Sequence, residues 1–166
     1  KFLNGIFSRL RDANSKTQNI INQSEAVTST NLEEIDTPIS QELIIEGLND
    51  RSINALPENP IRILVDSSSF NIGRKSSDPF SNNQLSLSDI KPLQISRNHF
   101  CFQIENNKIA VYDIGSSLGL VLNDNKLGGV SGNSGPSYLN DNENILVIGN
   151  EKSSYKYKIN INKTIK

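Results

Sequence analysis

Three short clusters carry the residues of this 166-residue chain best suited to chemistry: Gly73-Arg74, Ser96-Arg97-Asn98-His99, and Asp113-Ile114-Gly115-Ser116-Ser117-Leu118-Gly119. Together they offer guanidinium forks, serine hydroxyls and backbone N–H groups that glycine leaves open. Guanidinium is the preferred partner of a phosphate, because its planar fork makes two charge-assisted hydrogen bonds. Ser96 stands just before an apolar alternation, so its hydroxyl can donate to an anion at a strand end, with Arg97 adding charge beside it. His99 is the only histidine. A Ser96–His99 nucleophile–base pair lacks an evident carboxylate to orient the imidazole and an evident oxyanion loop. A partly buried histidine that pins its loop by hydrogen bonds fits better. Taken singly, Arg74 also reads as an ordinary surface arginine and the third cluster as a polar turn. Their order and spacing among strands join the three.

The elements that must position these clusters follow Pro60. Residues 61–65 and 70–73 read as short strands, the second ending at Gly73, where the backbone can turn sharply. A loop rich in Ser, Asn and Pro comes next, then Leu85, Leu87 and Ile90 in rough alternation. Phe100, Phe102 and Ile104 alternate with Cys101 and Gln103, giving one apolar face. Asn106-Asn107 suits a tight hairpin, since Asn tolerates positive φ, with Ile109 and Val111 on the return strand. A second hairpin runs from residues 120–122 through Asn123-Asp124-Asn125 to Lys126 and Leu127. Residues 128–136 form a loop, and residues 144–148 and 155–161 complete the series. Many short strands at even spacing predict an all-β sandwich over residues 60–166.

Upstream, Leu3, Ile6, Leu10, Ala13, Thr17 and Ile20 fall alternately three and four apart, which predicts an amphipathic helix over residues 1–23 with a heptad seam. Packing against another domain and self-association are equally open to that seam. Residues 24–59 are polar and aperiodic and read as a linker. Inside it, Thr37 as N-cap, Pro38 at the first helical position, and Leu43, Ile44 and Leu48 on one side predict a short helix over residues 38–48. Leu56-Pro57 and Asn59-Pro60 mark the boundary.

Bulk properties narrow the function. A net charge of −1, from 17 basic and 18 acidic residues, gives no drive for the counterion release of broad polyanion binding. Cys101 is the only cysteine, so neither an intrachain disulfide nor a structural zinc cluster is expected. No run is long enough to span a bilayer and no signal-peptide core opens the chain. The expectation is therefore a cytoplasmic protein without enzymatic activity, cofactor, metal, nucleic-acid partner or membrane. A chain that begins with Lys and contains no Met reads as part of something longer.

In order and spacing the three clusters resemble the signature of the forkhead-associated (FHA) family: Gly-Arg, then Ser-Arg-x-His, then Asp-x-x-Ser-x-Asn-Gly. The resemblance covers roughly residues 60–161, including Ile145-Leu146-Val147-Ile148-Gly149. It implies an FHA-like β-sandwich of short antiparallel strands that reads phosphothreonine peptides as an adaptor or regulatory module in kinase signalling. Carried onto matching positions, Arg74 and Ser96 bind the phosphate, Arg97 lies at the edge of the site, and Ser117 adds a hydroxyl or backbone contact. Gly73, His99 and Gly119 are architectural, and Asp113 and Ser116 match. Leu118 departs: the family carries Asn there, whose amide holds the peptide main chain, and Leu neither donates nor accepts. The alternative is an assembly scaffold with a degenerate phosphate site, associating through the seam in residues 1–23. Thr28 and Thr30, among Glu25, Glu33 and Glu34, would if phosphorylated be ligands for the same or a neighbouring molecule; an unmodified linker is the plainer reading. Residues 2–14 are also loosely similar to the helix that closes some bacterial cyclic-nucleotide-binding domains.

Overall fold

Apolar side chains at every second position give each strand one wet and one dry face, and two dry faces make a core. The computed structural model describes residues 40–162, apart from 131 and 134. The chain divides into two units, Lys1–Thr37 and Pro38–Lys166, and the described residues belong to the second. The helix expected over residues 1–23, the linker up to residue 39, and Thr28 and Thr30 lie outside them.

The first elements are β1 (Gln41–Gly47), α1 (Asp50–Ala55), β2 (Ile61–Val65), β3 (Phe70–Arg74) and β4 (Leu85–Leu87). Next come β5 (Phe100–Glu105), β6 (Lys108–Asp113), β7 (Leu120–Leu122) and β8 (Asn125–Leu127). The series closes with β9 (Ser137–Tyr138), β10 (Asn144–Ile148) and β11 (Tyr155–Asn162). One sheet runs β2-β1-β11-β10-β7-β8 and the other β4-β3-β5-β6-β9. Ile72, Phe100, Phe102 and Val111 of the second sheet share a single buried core with Leu43, Leu146, Ile148, Tyr155 and Tyr157 of the first. The all-β sandwich is as expected. Both hairpin turns are also found, with φ of 49° and 62° at Asn106 and Asn107 and 48° and 70° at Asn123 and Asp124. Asn125, expected in the second turn, already belongs to β8.

The segment before Pro60 departs from expectation. Residues 41–47 are not helix but strand β1, which pairs antiparallel with both β11 and β2, Leu43 opposite Ile161 on one side and Ile63 on the other. Leu43, Ile45 and Gly47 are buried while the residues between them are not, a period of two that outweighs the three-to-four spacing of Leu43, Ile44 and Leu48. The β-branched pair Ile44-Ile45 favours that outcome. The helix falls later, at α1, where Asn49 accepts from Ser52 N at 3.0 Å as its N-cap. The sandwich therefore begins at Gln41 rather than Pro60, and a linker ending at residue 59 is excluded.

A second departure shapes the site. Among the described residues every paired strand is antiparallel except β3–β4, which are parallel, Ile72 opposite Leu85 and Arg74 opposite Leu87. The connection 75–84 therefore folds back alongside β3, so that β3 and β4 end at one rim. At that rim β5 begins, β6 ends and β7 begins, which gathers the three loops.

Among the described residues one buried hydroxyl has no partner. Tyr157 Oη makes no hydrogen bond among the described residues, and burial pushes its pKa up. The void beside it, about 10 Å³, is walled by apolar side chains such as Ile72, Leu85 and Phe100, so a water there would find few partners. Tyr157→Phe is therefore expected to leave stability unchanged or raise it by about 1 kcal/mol, because an unsatisfied hydroxyl opposes folding. Denaturant unfolding checks this. A loss above about 1 kcal/mol would mean that the hydroxyl is satisfied.

Candidate anion-binding site

The first loop starts from β3. Gly73 lies inside the strand, without a sharp turn; a Cβ there would stand 2.1 Å from Arg97 O. Close backbone approach is thus why the position needs glycine. That approach lets Arg74 N donate to Ser96 O at 2.9 Å and His99 N to Ile72 O at 3.1 Å. Asn83 Nδ2 donates to Arg97 O at 2.6 Å from the far side. The second loop is stitched to β3 before any side chain of the site is placed.

His99 joins the second loop to the third. It is fully buried, more so than expected. Its Nδ1 accepts from Ser96 N at 2.9 Å and its Nε2–H donates to Gly119 O at 2.8 Å, an arrangement that fixes the tautomer. Burial lowers its pKa, opposed in part by the bond to Gly119 and the charge of Asp113. The third loop folds around Asp113, whose Oδ1 accepts from Gly115 N at 2.9 Å and Ser116 N at 2.8 Å. Ser116 Oγ donates to Asp113 Oδ2 at 2.5 Å and accepts from Gly119 N at 2.8 Å. Gly119 takes φ of +74°, which glycine alone adopts freely.

These struts bring Arg74, Ser96, Arg97, Ser117 and Leu118 into one open groove of about 690 Å³. Gly73, His99 and Gly119 stand behind it as supports. Ser96 Oγ accepts from Ser117 N at 3.0 Å and donates to Ser117 Oγ at 3.5 Å, a long bond whose hydrogen an anion in the groove can take over. The two arginines differ in state. Arg97 is ion-paired with Asp78 of the 75–84 connection. The Arg74 guanidinium, half-buried at the groove wall, has no hydrogen bond or ion pair among the described residues.

Sequence reasoning missed Asp89. Its side chain is fully buried, and Oδ2 accepts from Gln94 N and Ile95 N, each at 2.8 Å, while Oδ1 accepts from Tyr155 Oη at 2.7 Å. Arg51 Nη2 reaches the same segment, donating to Ile90 O at 2.5 Å and Pro92 O at 3.1 Å. This clamp fixes the approach to Ser96. The only sequence signal for it is an Asp directly after the β4 alternation, ahead of a proline-bearing loop. Asp78 and Asn83 were equally hidden, since their partners come from another loop.

Among the described residues no group of three or more His, Cys, Asp or Glu side chains could hold a metal ion, and no helix is long and apolar enough to cross a membrane. A guanidinium without a partner among the described residues and two serine hydroxyls joined only by a long bond, on one rim, define a β-sandwich with an anion-receptive groove.

The FHA domain family model matches residues 70–149. Similar solved structures include the FHA domain of the CT664 protein of Chlamydia trachomatis, at 20% identity and TM-score 0.49, covering 75% of this chain and 99% of that one. Another is the N-terminal FHA domain of Rad53p of S. cerevisiae with a phosphothreonine peptide, at 17% identity and TM-score 0.46, covering 72% and 93%. The yeast splicing factor Pml1 is similar at 19% identity and TM-score 0.48, covering 75% and 82%. Among curated proteins no sequence matches. The matched segment takes in all three loops of the groove, so this part of the chain is similar to FHA domains.

Proposed function

We propose that this domain binds a phosphothreonine-containing protein or peptide in the rim groove and acts as an adaptor or regulatory module, without catalysis. The observation that carries this reading is the uncommitted Arg74 guanidinium beside the Ser96 hydroxyl. A phosphorylated threonine brings close to two negative charges and three acceptor oxygens. Arg74 supplies a fork, Ser96 a hydroxyl, and Ser117 a hydroxyl at the same place. Arg97 stays at the edge, its charge shared with Asp78. The second reading, an assembly scaffold with a degenerate phosphate site, draws on Leu118, which lines the groove where an amide would grip the peptide main chain.

Calorimetric titration of the chain with a degenerate phosphothreonine peptide pool and its unphosphorylated twin decides between them. Binding that requires the phosphate is expected. It should weaken by up to about tenfold between pH 7 and pH 5, as the phosphate passes its second pKa near 6 and becomes a monoanion. A flat profile would argue against dianion recognition, and no binding by folded protein would favour the scaffold.

A further inference from the structure

We infer that the groove selects ligands with large apolar side chains flanking the phosphothreonine, reading side chains where an amide would have held main chain; this rests on the phosphothreonine reading above. Four large hydrophobic residues line the groove and face water: Phe80 at 85% exposure, Leu93 at 47%, Leu118 at 42% and Ile114 at 37%. Each loop contributes: Phe80 comes from the 75–84 connection, Leu93 from the segment before Ser96, and Ile114 and Leu118 from the third loop. Single exposed apolar residues are ordinary. Several around one groove, beside an unpaired cation, form a surface that an apolar ligand covers.

Charge argues the same way. The cations of the groove are Arg74 and Arg97, and Arg97 is already paired with Asp78. Arg74 is committed to the phosphate on this reading. An acidic flanking residue would find no free cation among the lining residues and would meet the Asp78 carboxylate. An apolar flank would instead bury itself against Leu93, Ile114 or Leu118, and partial burial of one such side chain is worth about fivefold to tenfold in affinity. Leu118, which removes one contact to the ligand backbone, adds one to its side chains.

The test uses the 166-residue chain and fluorescence anisotropy with phosphothreonine peptides that differ only in their flanks. One carries leucine on both sides, one serine and one glutamate; an unphosphorylated leucine peptide completes the set. The leucine peptide is expected to bind at least about tenfold tighter than the serine peptide, the glutamate peptide more weakly than either, and the unphosphorylated peptide not measurably. Leu118→Asn should narrow the leucine-to-serine ratio by about fivefold. Equal, phosphate-dependent affinity for leucine and serine peptides would overturn this inference and leave the proposed function standing. Absence of phosphate dependence with every peptide would overturn both.

Discussion

Arg74→Ala is expected to weaken binding of a phosphothreonine peptide by about tenfold to a hundredfold or more, while leaving the unfolding transition in place. The first half follows from the strength of hydrogen bonds to charged groups, about 1.5–3 kcal/mol. The second follows from the state of the side chain. Arg74 has no internal partner among the described residues, so its removal strands no carboxylate. Arg97→Ala is a different experiment, since it frees Asp78 into the groove. Arg74→Lys should recover part of the loss, because lysine keeps the charge and loses the fork. Calorimetry paired with a thermal melt measures both halves. Parent-like affinity in Arg74→Ala would show that the phosphate charge is met elsewhere.

The second large effect concerns His99. His99→Ala removes a fully buried ring and both its hydrogen bonds, one inside the second loop and one from that loop to the third. Gly119 O keeps its bond from Gly149 N at 2.8 Å, but Ser96 N loses its acceptor. Cavity and orphaned donor together should cost about 3–5 kcal/mol in denaturant unfolding, and peptide binding should fall with the displaced Ser96. A loss below about 1 kcal/mol would mean that the loops hold together without the imidazole.

The same residue sets a pH dependence. Its folded pKa is lowered from 6.5, chiefly by burial, so below about pH 6.5 the unfolded chain takes up a proton that the folded chain refuses. Stability is then lost as pH falls through that window, by at most about 1.4 kcal/mol per pH unit. Protonation at Nδ1 would also set an N–H against the N–H of Ser96. His99 is the only histidine, and the carboxylates of Glu42, Asp66 and Glu151 are held below their ordinary range by hydrogen bonds. The window from 6.5 to 5 therefore belongs to His99. Unfolding without ligand separates this loss from the phosphate's own titration.

Much of this architecture was legible in the chain, for reasons that are local. The alternation of Phe100, Phe102 and Ile104, and the asparagine pairs at both hairpins, specify their conformation within a few residues. The three clusters were equally plain, because each closes or opens a strand. What escaped was decided at a distance. Residues 41–47 satisfy both periods on paper, and Thr37-Pro38 imitates a helix start; the strand is settled by partners such as Asn162, whose amide bonds to Glu42 from 120 residues away. The pairing of Arg97 with Asp78 crosses 19 residues and two loops. Asp89 works through Tyr155 and the backbone of Gln94 and Ile95, none of which its neighbours in sequence foretell. Gly73 was recognised as necessary for the wrong reason, since the carbonyl that excludes a Cβ belongs to another loop.

The pairing of β1 with β11 has a topological consequence. Glu42 stands opposite Asn162 and Gly47 opposite Tyr157, so the strand by which the fold is entered and the strand by which it is left are hydrogen-bonded neighbours. Paired Cα atoms of such a ladder stand about 4.5–5.5 Å apart. The rim loops gather where β1 ends and β11 begins; the entry and exit points lie at the opposite pole. The sandwich is thus a cassette. It can be spliced into a surface loop of a host protein across a gap no wider than one strand spacing, with its groove facing away from the graft.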